Sequence, residues 1–151
     1  MSAISSIYDA AIAKMVELYP NKQRIHNPYE LKDNTELTMR DSWGLKIGQA
    51  NQNIIEYCSF TSDREFIIVL VRQFPTVGKD GTAFDSVTKS ILEDQKTIID
   101  SFFSPTELGV ADTVDKIDVS NVGGIDFMSA EQKKYLFVEI TFTITMSAAL
   151  I

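Results

Sequence analysis

The sequence predicts an α+β fold: a mainly antiparallel or mixed β-sheet with two amphipathic helices packed on one face. Three observations predict it. Apolar residues recur at three- and four-residue steps in two segments, 4–19 and 84–102. Extended runs, alternating or wholly apolar, fill the chain between and after these segments. Neighbouring extended runs are joined by short links, which suit antiparallel pairing, because parallel neighbours need a long crossover.

In the first helix Ile4, Ile7, Tyr8, Ala11, Ile12, Met15, Leu18 and Tyr19 share one face, and Pro20 ends it. From Asn21 to Glu36 the chain is polar, with Asn27-Pro28 and Asp33-Asn34, and is expected to be a long surface loop. In LTMRDSWGLKIG, Trp43, Leu45 and Ile47 alternate with small or charged residues, and IIEYCSF is another extended run; both read as strands. TSDR is expected to turn the chain into EFIIVLVRQF. Phe66 to Val71 are apolar without alternation, so this strand is expected to be buried on both faces in the middle of the sheet. After the loop PTVGKDGT, Phe84, Val87, Ile91, Leu92, Ile98, Ile99 and Phe102 form the stripe of the second helix. Thr82 or Asp85 is expected to cap its first turn, and Pro105 to close it. VDKIDVSNV is a short strand before Gly123-Gly124, and AEQKK a polar turn before the last strand.

That last strand, YLFVEITFTITM, runs from Tyr135 to Met146 and at full extension spans ~40 Å, about twice the usual strand. Its even positions, Leu136 to Met146, are apolar and fit beneath the helices. Its odd positions read Tyr135, Phe137, Glu139, Thr141, Thr143 and Thr145, on a face expected to lack a cover within the chain. The far end is expected to project past shorter neighbours, with SAALI as an apolar tip. A mixed apolar and threonine-rich sheet face suits packing against another subunit; a solvated antiparallel face is the plainer alternative. Phe137, Glu139, Thr141 and Thr143 are the candidate subunit contacts.

The chain of 151 residues, 44% hydrophobic and 23% charged, is expected to form one domain over 1–151. No apolar run approaches a membrane span, and MSAISSIYDAAIAK lacks the basic and apolar regions of a secretory leader, so a cytosolic protein is expected. Cys58 is the sole cysteine and has no internal disulfide partner. A net charge of -7 argues against wrapping nucleic acid over a broad surface.

Motifs for chemistry are sparse. VGKDGT lacks the upstream glycine of a phosphate loop and places Asp80 where Ser or Thr follows the lysine, so it reads as a plain strand-to-helix loop. His26 is the sole histidine, so no histidine pair holds a metal and no Gly-x-Ser-x-Gly elbow accompanies it. Cys58 sits in a strand-like run with no basic neighbour and reads as packing. Glu93-Asp94, Asp112, Asp115 and Asp118 match no calcium loop and read as solvated. Lys22, Arg24 and His26 form a small basic loop, a candidate contact for an acidic partner. No catalytic, cofactor-binding or metal-binding residue is assigned.

The layout resembles the tail terminator proteins of long-tailed bacteriophages, small α+β subunits that form a ring at the end of the tail tube. The resemblance lies in the order of elements over nearly the whole chain: the opening helix, RDSWGLKIG leading into a strand pair, the helix FDSVTKSILEDQKTII, and NVGGIDF followed by the long last strand. It implies a structural virion protein of the tail or neck, assembled in the host cytoplasm, with neither enzymatic activity nor cofactor. The implied homo-oligomer is a hexameric ring that caps the tube, stops its polymerisation and offers the head a docking surface. Its implied partners are the tail tube protein and head-tail connector or neck proteins, with genomic DNA passing only through the lumen and no membrane involved. Another neck subunit, a dimeric adaptor, or a small ligand-binding or enzymatic α+β domain are the alternatives.

Overall fold

The computed structural model describes residues 3–25, 27–29, 41–56, 59–73, 81–102, 108, 114–124, 126–130 and 133–149. His26, Cys58, Pro105, Asp112 and most of the loop PTVGKDGT lie outside them. Helix α1 spans Ala3–Leu18 and α2 spans Gly81–Phe102. The strands are β1 (Gln23–Arg24), β2 (Asp41–Glu56), β3 (Ser59–Gln73), β4 (Lys116–Val122), β5 (Asp126–Ala130) and β6 (Lys133–Ala149). They form one six-stranded sheet in the order β1-β2-β3-β6-β4, with β5 also paired to β6. Only the β1–β2 pair is parallel, so the fold is α+β with a mainly antiparallel, mixed sheet. Among the described residues no helix is long and apolar enough to cross a membrane.

Both helices cover one face. Ile7, Ala11 and Met15 of α1 and Ile91, Ile98 and Phe102 of α2 pack with Trp43, Leu45, Phe66, Ile68, Leu70 and the even residues Leu136 to Met146 of β6. The period of two along β6 therefore meets the three- and four-residue steps of the helices, as the patterning predicts. The rings of Phe102 and Phe142 stack with centroids 5.2 Å apart, tying the end of α2 to the middle of β6. Of Phe66 to Val71 all but Ile67 are buried, as expected for a central strand.

Several expectations are corrected. The runs around Trp43 and Ile54 are one strand: Gly48 and Gln49 are absorbed in a register shift between Ile47 and Ala50. TSDR is not a turn. Thr61, Ser62, Asp63 and Arg64 sit in the ladder between β2 and β6, and the chain reverses between Glu56 and Ser59. An antiparallel ladder carries polar residues where its face is not buried, so turn-like composition did not break the strand. Because β2 and β3 are themselves long, β6 does not project past them; it pairs with β3 from Tyr135 to Ala149. Nor is β6 an edge, since β4 and β5 lie on its other side. Helix α2 begins at Gly81, so Thr82 and Asp85 lie inside it instead of capping it.

The face opposite the helices is not wholly bare either. Ile25, Val69, Val71 and Tyr135 form a second buried cluster, with Ile67 and Phe137 packed against it. Ile25 and Pro28 lie against β2 at Gly44, where an added Cβ would stand 2.9 Å from Pro28 Cβ and 3.3 Å from Ile25 Cβ. Only a glycine admits so close an approach.

Candidate assembly surface

Beyond this second cluster, the rest of that face is polar and, among the described residues, carries no covering element. Strand register sets its rows: Lys46, Ile67 and Thr141; then Glu65, Thr143 and Asp118; then Asp63, Thr145 and Lys116. Lys46 Nζ reaches Glu139 Oε1 at 2.9 Å across the intervening strand β3. Lys116 Nζ lies 3.3 Å from Asp118 Oδ2. The Thr145 hydroxyl donates to Asp63 Oδ1 at 2.8 Å, and the Ser120 hydroxyl donates to the Thr141 carbonyl at 3.2 Å. Glu65 folds over Gly48, where an added Cβ would meet its carboxylate oxygen at 2.8 Å. Among the described residues Asp63 and Glu65 have no cationic partner, so this half-face is acidic on balance.

The four candidate subunit contacts divide between the two halves. Phe137 packs against the second cluster, and Glu139 is engaged by Lys46. Thr141 and Thr143 stand on the polar half, each half-buried between neighbouring strands. Which half a residue joins depends on Ile25, one of few apolar residues in a polar stretch whose sequence carries no period.

Of the basic loop, Lys22 and Arg24 are likewise engaged within the chain. Lys22 Nζ bonds both carboxylate oxygens of Asp41, at 2.8 and 3.0 Å, and lies 3.7 Å from Asp94 Oδ2. Its ammonium also stands 5.2 Å from the centroid of Tyr19. Arg24 donates to Tyr8 Oη at 3.0 Å, with its guanidinium 5.7 Å from the centroid of a Trp43 ring. Lys22 belongs to a network of two cations and two carboxylates: Arg72 Nη1 lies 2.5 Å from Asp41 Oδ1, and Arg72 Nη2 pairs with Asp94. Arg72 is buried, and burial lowers its pKa while the Asp41 carboxylate works against that shift. Burial raises the pKa of Tyr19, opposed by the charge of Arg72. The network joins the turn between α1 and β1 to β2, β3 and α2, which makes it a staple of the fold. Nothing in its spacing announced it, because Lys22, Asp41, Arg72 and Asp94 are far apart in sequence.

A cleft of about 300 Å3 opens between α1 and β2, lined by Ser5, Tyr8, Asp9 and Ile47. Among the described residues no group of three or more His, Cys, Asp or Glu is placed to hold a metal ion. The acidic residues noted in the sequence lie apart: Asp94 in the staple, Asp118 on the polar half-face, and Glu93 exposed on α2. Compared with known proteins, the sequence matches no family model and no curated relative.

Proposed function

We propose that the chain is a structural subunit that assembles with copies of itself into a ring, and that this ring is the tail terminator of a long-tailed bacteriophage. In this reading a hexamer caps the tail tube, stops its polymerisation and presents a docking surface to head-tail connector or neck proteins. The subunit has no catalytic role and needs no cofactor. The polar half-face turns inward, where Thr141, Thr143, Asp63 and Glu65 line a water-filled channel.

One observation carries the reading: both helices lie on one side of the sheet, and the half-face left on the other side is hydroxyl- and carboxylate-rich. A surface of that chemistry stays hydrated and repels the phosphates of passing DNA, so DNA slides past it without adhering. An inner wall of a DNA-conducting ring needs those properties; a buried protein contact calls for a more apolar surface.

The test is electron microscopy of the purified chain alone at high concentration and mixed with tail tubes. Closed rings are expected, seated at one end of each tube. A chain that stays monomeric in both conditions, with tubes growing unchecked, rules the reading out.

A further inference from the structure

The helix-covered side of the sheet carries unlike surfaces at its two flanks. On the β4 flank, Leu92 is 50% exposed on α2 and Val122 is 43% exposed at the end of β4. Val122 pairs with Ile140, a core residue beneath the helices, so its side chain is on the helix side too. Gln95 Nε2 reaches the Gly123 carbonyl at 3.5 Å, and Leu92 lies one helical turn from Gln95, which brings the two exposed apolar residues to one place. On the β2 flank is the cleft of about 300 Å3 between α1 and β2, walled by Tyr8 and Ile47. Both of these residues pack against the helix-side core. A cleft of that size suits one or two aliphatic side chains and stands at the lower limit for a small-molecule pocket.

We infer that Leu92 and Val122 of one copy seat in the α1–β2 cleft of the next copy, with Lys89 set against Asp9. The inference rests on the ring reading and names the contact that closes the ring. A second copy is the occupant because the charges at the two sites are complementary. Asp9 is exposed on the cleft wall, and Lys89 is exposed one turn before Leu92 on α2. The other cations nearby are engaged within the subunit, Arg24 by the Tyr8 hydroxyl and Lys96 by Asp100. An apolar centre with a charged rim is the usual anatomy of a protein contact. The placement of the two sites suits a ring as well. One is on the β4 flank and the other on the β2 flank, and both are on the helix side of the sheet. With the polar half-face turned to the ring axis and the strands set along it, rotation carries the β4 flank of one copy to the β2 flank of the next. Each copy then gives one side of the contact and offers the other, so a closed ring leaves neither side bare.

The experiment measures assembly of the full chain by analytical ultracentrifugation and electron microscopy, alone and with tail tubes. Leu92→Asp is expected to raise the concentration for half-assembly by about tenfold or more, with circular dichroism and Tm unchanged because the side chain is half exposed in the subunit. Lys89→Glu and Asp9→Lys each set like charges together across the boundary, and each is expected to raise that concentration about threefold to fivefold. An equal mixture of these two variants is expected to assemble like the wild type, because every boundary of an alternating ring again joins opposite charges. No rearrangement within one subunit gives that rescue, since neither chain in the mixture carries both changes. If wild-type rings form but Leu92→Asp assembles normally, or the mixture assembles no better than its parts, this contact is wrong and the ring reading stands. Leu92→Asp rings that close normally but no longer seat on tail tubes assign the exposed pair to the tube protein and overturn the contact in the same way. A wild type that never assembles, alone or with tubes, overturns both.

Discussion

Lys46 on β2 and Glu139 on β6 are paired at 2.9 Å over the top of β3, so two strands that share no backbone hydrogen bond are tied by side chains alone. The pair marks the border between the buried cluster around Val69 and the polar half-face. Both side chains are partly solvated, so the coupling is small: a double-mutant cycle with Lys46→Met and Glu139→Gln is expected to give about 0.5–1 kcal/mol in urea unfolding. A coupling near zero would free Glu139 for contacts outside the chain.

Arg72 is different because it is buried between Asp41 and Asp94. Arg72→Met removes a charge and leaves Asp94 with only the more distant Lys22. A loss of about 3 kcal/mol is expected in denaturant unfolding. Adding Asp94→Leu is expected to recover part of that loss, since a well-packed apolar pair replaces a buried ion pair at little cost. A double variant no better than the single would show that Asp94 is not the group stranded by the first change.

Tyr19 gives the staple a signature at high pH. Its folded pKa lies above the unfolded value of 10.0, chiefly through burial. The folded state therefore keeps the phenol proton after the unfolded state has lost it. The stability this contributes is fully present below pH 10 and disappears as pH rises through the folded pKa. An ultraviolet titration of tyrosine ionisation is expected to show a late-titrating fraction that Tyr19→Phe removes. The same variant is expected to flatten the decline of stability above pH 10. An unchanged titration in Tyr19→Phe would place the late fraction on another tyrosine.

The apolar pattern of the chain was legible because burial imposes periods that sequence displays. Leu136 to Met146 alternate, Ile7, Ala11 and Met15 recur at helical steps, and all meet in one core. What stayed hidden has no period. Gln23 and Arg24 form a two-residue strand with both side chains exposed. Gly48 and Gln49 carry the composition of a break, yet the backbone absorbs them as a bulge because β3 continues alongside. Thr61 to Arg64 look like a turn, yet partners on both sides hold them extended. The candidate surface was half legible for the same reason: alternation places Phe137, Glu139, Thr141 and Thr143 on one face, but the cover over part of that face comes from Ile25, distant in sequence and part of no periodic pattern.

Trp43 is 1% exposed and packs among residues of both helices and the sheet. Truncation removes the largest side chain of the core, so Trp43→Ala is expected to cost about 3–5 kcal/mol and Trp43→Phe less. Urea unfolding followed by circular dichroism checks both. Equal stability of the alanine variant and the wild type would contradict the packing.

The charge of the polar half-face is the part of the ring reading most open to direct trial. Asp63 and Glu65 lie two residues apart on β3, beside Thr145 and Thr143 of β6, and no lysine or arginine among the described residues neutralises them. If that face lines the channel, each subunit adds the same carboxylates to its wall, and sixfold repetition multiplies a weak local field into one that keeps DNA from adhering. Wild-type rings are then expected to show no measurable retention of double-stranded DNA at about 0.1 M salt, where the screening length is about 10 Å. Asp63→Lys with Glu65→Lys reverses the sign at two positions per subunit and is expected to create binding that weakens steeply as salt rises, through release of counterions from the phosphates. Both positions are only partly buried, so the fold is expected to tolerate the change, and the Tm of the variant reports on that directly. Rings of the double variant that ignore DNA at low salt would show that this face looks away from the channel.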